Sequence, residues 1–163
     1  MTITPPWGTF VDPLNDIVVK VRDHAESLGV FSRINGHEPK HAPVTGRSPD
    51  ITCSVWIDGI RPARSGLSAT SATLDLNVRL YTLMTREPQD AIDPTMVGAC
   101  HRLMADYVNS FTLGSLARGV DVRAIEGKAM TMQAGYVEMD GKLFRTMTIV
   151  LPVTVNDLWP ENP

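Results

Sequence analysis

The stretch MTMQAGYVEMDGKLFRTMTIVL, residues 130–151, holds an Asp-Gly pair between two runs of alternating residues. Asp140-Gly141 favours the two-residue type I′ turn of a β-hairpin, because both central positions need positive φ and these two residue types tolerate it. Such a turn fixes the register. Met139 then faces Lys142, and Tyr136, Ala134, Met132 and Met130 face Arg145, Met147, Ile149 and Leu151 on one side. Apart from Arg145 and the tyrosine hydroxyl, that side is apolar. The other side pairs Val137 with Phe144, Gly135 with Thr146 and Gln133 with Thr148, and is more polar. A slip of one residue would turn the methionines outward, so turn chemistry and core pattern specify the same hairpin. Pro152 interrupts the second strand and predicts an edge position or a bulge near its end.

Two earlier segments alternate in the same way. Ile51, Cys53, Val55 and Ile57 share one face of a strand. In the next, Leu74, Leu76, Val78 and Leu80 face one way while Thr73, Asp75, Asn77 and Arg79 face the other, giving each strand a dry side and a wetter one. Between them, residues 58–72 are rich in Gly, Ser, Pro and Arg and read either as a long loop or as the tip of an extended hairpin. A shorter strand is expected at Val120 to Ile125.

Helices come from a different period. Asp12-Pro13 pairs an N-cap residue with a proline at the first helical position. Leu14, Ile17, Val18, Val21, Ala25 and Leu28 follow at spacings of three and four, and Gly29 is the expected stop. Asp93-Pro94 repeats the device before Met96, Val97, Cys100, Leu103, Met104, Tyr107, Val108 and Phe111, with Gly114 closing the helix. The order α-β-β-α-β-β-β predicts an α+β fold: one mixed, mainly antiparallel β-sheet with two main helices on one face.

At 163 residues, with 43% hydrophobic and 20% charged, the chain fits a single domain over 1–163 with a real core. An N-terminal arm at 1–11 and an irregular C-terminal tail at 156–163 are expected around it. A net charge of −3 supplies no basic field for phosphate neutralisation, so sequence-specific nucleic-acid binding is not expected. No apolar run approaches the roughly 20 residues that cross a bilayer. The first seven residues lack the basic start and apolar stretch of a signal peptide, which predicts a protein that stays in the cytoplasm where it is made.

Chemistry is harder to find. His37-Glu38-Pro39-Lys40-His41 spells H-E-x-x-H, the letters of a zinc hydrolase. That motif works only on a helix, where histidines at i and i+4 share a face. Pro39 inside it costs a helix about 3 kcal/mol or more, and Gly36 and Pro43 flank it. A solvated polar loop is the expectation, with a metal-dependent hydrolase using His37, Glu38 and His41 as the remote alternative. Cys100 and His101 are adjacent on a helix and point about 100° apart, so they make no nucleophile and base pair. Cys53 and Cys100 lie within apolar patterns and are expected as buried thiols. Gly66-Leu67-Ser68-Ala69-Thr70 lacks the final glycine of a nucleophile elbow, and no phosphate-binding glycine motif occurs. Met96, Met104, Met130, Met132 and Met147 fall on core-facing positions, where a flexible thioether fills gaps. No catalytic residue, cofactor or metal ligand is therefore assigned. Arg61 and Arg64 are candidates for partner contact or for loop solubility, and Trp159 joins them as a candidate contact.

Two stretches carry a family likeness. ATLDLNVRLYTLM at 72–84 and MDGKLFRTMTIVLPVTVNDLWPE at 139–161, with its closing V-N-D-x-W, resemble the tail terminator proteins of long-tailed bacteriophages. The likeness extends from the Asp12-Pro13 helix through Trp159 in pattern, and the family has no invariant catalytic motif. It implies a small α+β subunit that assembles as a homo-oligomeric ring, commonly a hexamer, on the last ring of the tail tube. That ring stops tube growth and offers a joining surface to the head. The implied partners are the chain itself, the tail tube protein and a head-tail connector protein. The implied place is the head-proximal end of the virion tail, after assembly in the host cytoplasm. Another head-completion or neck protein is the alternative that the same fold pattern allows. Residues 32–50 and 58–72 are the polar segments available to an assembly subunit for contact.

Overall fold

The Asp140-Gly141 turn forms with φ of 50° and 71°, the left-handed pair that a type I′ turn requires. The computed structural model describes residues 13–43, 50–64, 69–109 and 111–160. The chain order is α1 (Pro13–Ser27), β1 (Arg33–Asn35), β2 (Thr52–Ala63), β3 (Ala69–Leu83), a 3-10 turn (Gln89–Ala91), α2 (Ile92–Val108), β4 (Gly119–Val120), β5 (Thr131–Met139) and β6 (Lys142–Pro160). Met139 pairs with Lys142, Tyr136 with Arg145, Ala134 with Met147 and Met132 with Ile149, as the turn dictates. The expected pair of Met130 with Leu151 is not made. The ladder ends at Thr131 and Val150, and the Met130 N–H donates instead to the Asp121 carbonyl at 3.1 Å.

The sheet runs β1-β2-β3-β6, with β4 and β5 both paired to the far side of β6. All pairs are antiparallel except β1 with β2, which makes the sheet mixed. The architecture is thus α+β, with two helices and a mixed sheet. β1 lies within the segment read as a loop at 32–50, since three residues are too few for alternation to register. Residues 58–72 resolve in favour of the hairpin, because β2 and β3 pair as far as Ala63 and Ser71. The expected strand at 120–125 shrinks to Gly119–Val120. Its remainder turns away, because both Asp121 carboxylate oxygens accept backbone N–H groups, from Ile125 at 2.8 Å and Glu126 at 2.7 Å.

Pro152 is not on an edge. It sits inside β6, opposite Asp75 of β3, and its carbonyl accepts the Asp121 N–H at 2.9 Å on the other side. A strand residue's N and C=O point the same way, so the nitrogen lacking hydrogen faces the gap where β5 has ended and β4 has not begun. The C-terminal segment is also more ordered than expected: β6 continues to Pro160, so 156–160 are strand rather than irregular tail. The N-terminal arm, the Asp12 cap and Gly66-Leu67-Ser68 lie outside the described residues.

Both helices present their stripes to one sheet face, except that Val97 and Val108 of the expected α2 stripe are exposed. Ile17, Val18, Val21 and Ala25 of α1 and Met96, Cys100, Leu103 and Tyr107 of α2 share a core with Cys53, Val55, the Leu74 to Leu80 alternation and Met147, Ile149, Leu151 and Val153. Met104, Met130 and Met132 pack against its margin. Gly29 ends α1 with φ of 64°, as a left-handed terminator should. Helix α2 departs from expectation at both ends. It starts at Ile92, with Ala91 in the cap position, because the carboxylate of Asp93 is engaged elsewhere: Arg145 Nε and Nη2 donate to it at 2.8 and 3.2 Å. It stops at Val108, before Gly114.

Gly141→Ala is expected to lower unfolding stability by about 1 kcal/mol, because alanine must hold positive φ there. Urea denaturation should show a lower midpoint at an unchanged slope.

Candidate functional site

The sheet face away from the helices carries Ser54 and Trp56 from β2, Thr73, Asp75, Asn77 and Arg79 from β3, and Thr146, Thr148 and Thr154 from β6. Alternation predicts that this side is the wet one, yet Thr52, Ser54 and Thr73 are fully buried and Asp75 and Asn77 nearly so. The reason is tertiary. Two segments fold back over the face and bury charges that then pair with one another, while the Thr52 and Thr73 hydroxyls are buried without a hydrogen-bond partner among the described residues.

The first is the 36–43 segment. Glu38 Oε1 accepts from Arg79 Nη1 at 3.4 Å, and the Ala42 N–H donates to Asp140 Oδ2 at 2.8 Å. That backbone bond is the main cause holding the Asp140 carboxyl below the usual carboxylate range. The second is the 121–130 segment. Arg61 Nη1 donates to the Glu126 carbonyl at 2.9 Å, and Lys128 Nζ approaches Asp75 Oδ2 at 3.5 Å. Asp75 thereby anchors two cations, since Arg61 Nε and Nη2 also donate to its two oxygens at 3.3 and 3.1 Å.

Between the two segments lies an open groove of about 400 Å³, lined by Asn77, Arg79, Gln133, Gly135, Thr146 and Thr148 among others. Arg79 spans its floor: Nε donates to Thr148 Oγ1 at 2.8 Å, and the guanidinium lies 5.1 Å from the centre of the Trp56 ring. Carboxamides, hydroxyls and a paired guanidinium equip this surface for hydrogen-bonded contact.

The structure brings Arg64 and Trp159 to one end of the sheet, since Ala63 pairs with Ser71 and Trp159 with Thr70. Both are solvent-accessible, and the Arg64 carbonyl takes a 3.4 Å bond from Arg118 Nη2. Arg61 stands apart from them. Its guanidinium is turned inward to Asp75 rather than outward from a loop. Between Val155 and Trp159 the β3–β6 register shifts. Here Asp157 takes φ of 51°, its N–H donates to Ser71 Oγ at 3.1 Å, and Asn156 Oδ1 accepts from Arg118 Nε at 2.7 Å. The V-N-D-x-W wording thus spells a bulge: Asn and Asp are the residue types that tolerate left-handed backbone and bond locally.

The H-E-x-x-H letters fall in the first segment, which is not helical. Glu38 is held by Arg79, and His41 Nδ1 lies 3.6 Å from Asp140 Oδ1. His37 and His41 therefore share no helix face, and no group of three or more His, Cys, Asp or Glu placed to hold a metal occurs among the described residues. His101 is exposed on α2. Cys53 and Cys100 are both buried and free. Burial pushes the Cys100 thiol up to about 12 and Cys53 higher still, with Cys100 nearby as a second cause for Cys53.

One polar contact was invisible in the sequence. His24 Nε2 of α1 lies 3.0 Å from Asp106 Oδ2 of α2, in a cleft of about 580 Å³ between the helix ends. The imidazole also packs against Tyr107 and Phe111, at centroid distances of 5.5 and 4.9 Å. Residues so far apart in sequence carry no shared local pattern, so no spacing signal exists that would find them.

Asp75→Ala leaves Arg61 and Lys128 without their shared carboxylate on a largely covered face. A loss of about 2 kcal/mol is expected from the charged hydrogen bonds, read as a lowered denaturation midpoint. The thiols give a second check. With both ionisations displaced far above neutrality, neither cysteine should react with a disulfide reagent at pH 8 in the native protein, and both should react in urea. Rapid native labelling of either would contradict the packing described.

Comparison of the chain with models of known protein families gives no match, and comparison with curated proteins gives none either.

Proposed function

We propose that the chain is a structural subunit of a phage particle, of the tail terminator kind. Copies close into a ring, commonly a hexamer, on the last ring of the tail tube, stop its polymerisation and offer a joining surface to the head. The observation that carries this reading is where the two resembling stretches fall. Residues 72–84 lie almost wholly on β3, and the described part of 139–161 lies on the turn and β6. These strands are neighbours, paired from Ala69 opposite Pro160 to Leu83 opposite Phe144. The likeness thus occupies the contiguous middle of the sheet together with the bulge at its end. The α+β architecture is compatible with it.

On this reading the partners are further copies of the chain, the tail tube protein and a connector on the head side. The work is done by surface contact, without a cofactor, at the head-proximal end of the tail. Arg64 and Trp159, exposed together at one end of the sheet, are the side chains assigned to such contacts. Aromatic and arginine side chains carry a disproportionate share of interface energy.

Purified chain mixed with growing tail tubes should appear in electron micrographs as a ring at one tube end, and the tubes should stop elongating. Trp159→Ala should weaken capping by about tenfold or more, the loss of one interface anchor, without changing the fold by circular dichroism. A strict monomer at high concentration, with no ring beside tubes, would overturn the reading. Antibody labelling that places the chain elsewhere in the neck would replace it with the connector alternative.

A further inference from the structure

We propose that the free edge of β5 is a pairing site for a second copy of this chain, joined strand to strand and antiparallel. The pairing goes beyond the tube-capping reading and does not depend on it.

The turn register decides which main-chain groups are free. Met139 and Lys142 flank a two-residue turn and exchange bonds, so the odd-numbered residues from Thr131 to Met139 direct their N–H and C=O groups to β6. Met132, Ala134, Tyr136 and Glu138 direct theirs outward. Among the described residues no strand lies along that side.

Natural sheets protect such an edge with lysine, proline, a bulge or short length. β5 has none of these: it is nine residues long, pairs with β6 without a register shift, and carries Glu138 as its one charge. The opposite edge is blunt by comparison: β1 has three residues and pairs only with Thr52–Ser54, and the rest of β2 carries a register shift between Ile57 and Gly59 and a proline at Pro62. β5 is also bare on its helix side beyond Met132, at Ala134, Tyr136 and Glu138. Helices of about 10 Å width cover about two strands each at about 4.8 Å spacing. Here α1 packs on β1 and β2, and α2 on β3 and β6. The last strand is left over, with Tyr136 61% exposed.

Self-complementarity selects a second copy as the occupant. With a twofold axis through Gly135, Met132 faces Glu138 of the other copy, Gln133 faces Val137, and Ala134 faces Tyr136. Every outward residue then meets an outward residue, so all the free N–H and C=O groups between Met132 and Glu138 are paired. The bulky Tyr136 ring, which Arg145 holds at 4.6 Å, has the small Ala134 opposite it. The two Glu138 carboxylates lie six residues apart along the ribbon, about 20 Å, which exceeds the screening length of about 8 Å. No like charges are brought together, and both sheets continue into one.

The test is sedimentation equilibrium of the full chain beside two variants. Ala134→Pro removes an outward N–H and leaves the ladder to β6 intact. Ala134→Glu keeps the backbone and sets two carboxylates about 7 Å apart across the axis. The expected result is a wild-type dimer whose dissociation constant rises at least tenfold in each variant. Amide exchange at Met132, Tyr136 and Glu138 should be slow in the wild type and fast in the variants. Unchanged exchange elsewhere in β5 and β6 would certify that the hairpin is folded in both. A wild-type monomer at every concentration, or association that both folded variants retain, would overturn the proposal. Tube capping by variants whose association is unchanged would overturn the pairing while leaving the tube-capping reading standing. A β5 dimer that never touches tubes would do the reverse.

Discussion

The pairing of β3 with β6 is the constraint on which the rest of the structure rests. It runs the length of both strands and supplies the inner pair of the sheet, with β2 on one flank and β5 and β4 on the other. Because side chains alternate with period two, one register assigns both faces at once: Leu74, Leu76, Val78 and Leu80 meet Val153, Leu151, Ile149 and Met147 under the helices. Thr73, Asp75, Asn77 and Arg79 meet Thr154, Pro152, Val150 and Thr148 on the other side. A slip of one residue would bury the second set under the helices and expose the first. The single shift in this ladder falls at its end, around Asp157, where it disturbs neither set.

The two faces are closed by different physics. Aliphatic burial under two amphipathic helices closes one, and it needs no directional partner. Polar segments close the other, and each buried charge there has a named counterpart: Asp75 with Arg61 and Lys128, Arg79 with Glu38 and Thr148. Such a face is sensitive to loss of one member, because the remaining charge stays where water reaches it poorly. It also fixes where 36–43 and 121–130 lie, which hydrophobic contact alone would leave loose.

The surfaces proposed for association are the edge of β5 and the end of the sheet where Arg64 and Trp159 emerge. The first offers main-chain hydrogen bonds and the second offers side-chain anchors. An assembly subunit needs two unlike surfaces to grow beyond a pair, and these differ in both chemistry and position. The H-E-x-x-H letters show the converse case, a pattern without its geometry. Pro39 prevents the helix that would align the histidines, and the glutamate is drawn to an arginine of the sheet.

The sequence by itself determined every element whose cause is local. Asp140-Gly141 set the hairpin and its register, since turn chemistry acts over four residues. The stripe from Ile17 to Ala25 and Gly29 set α1 and its end, and alternation from Thr73 to Leu80 set which side chains of β3 share a face. The coarse α+β class followed from the order of these parts. What only the tertiary structure decided were matters of partner rather than of pattern. Asp93 looks like a helix cap until Arg145 is seen to take it, and Pro152 looks like an edge residue until its nitrogen is seen facing a gap. Three residues become β1 only beside β2, and Asn156-Asp157 looks like a tail until Ser71 and Arg118 bond it into a bulge. The polar face of β3 reads as wet until two distant segments cover it. In each case the deciding group lies far along the chain, and the free energy of a contact between distant residues leaves no trace in the spacing of either.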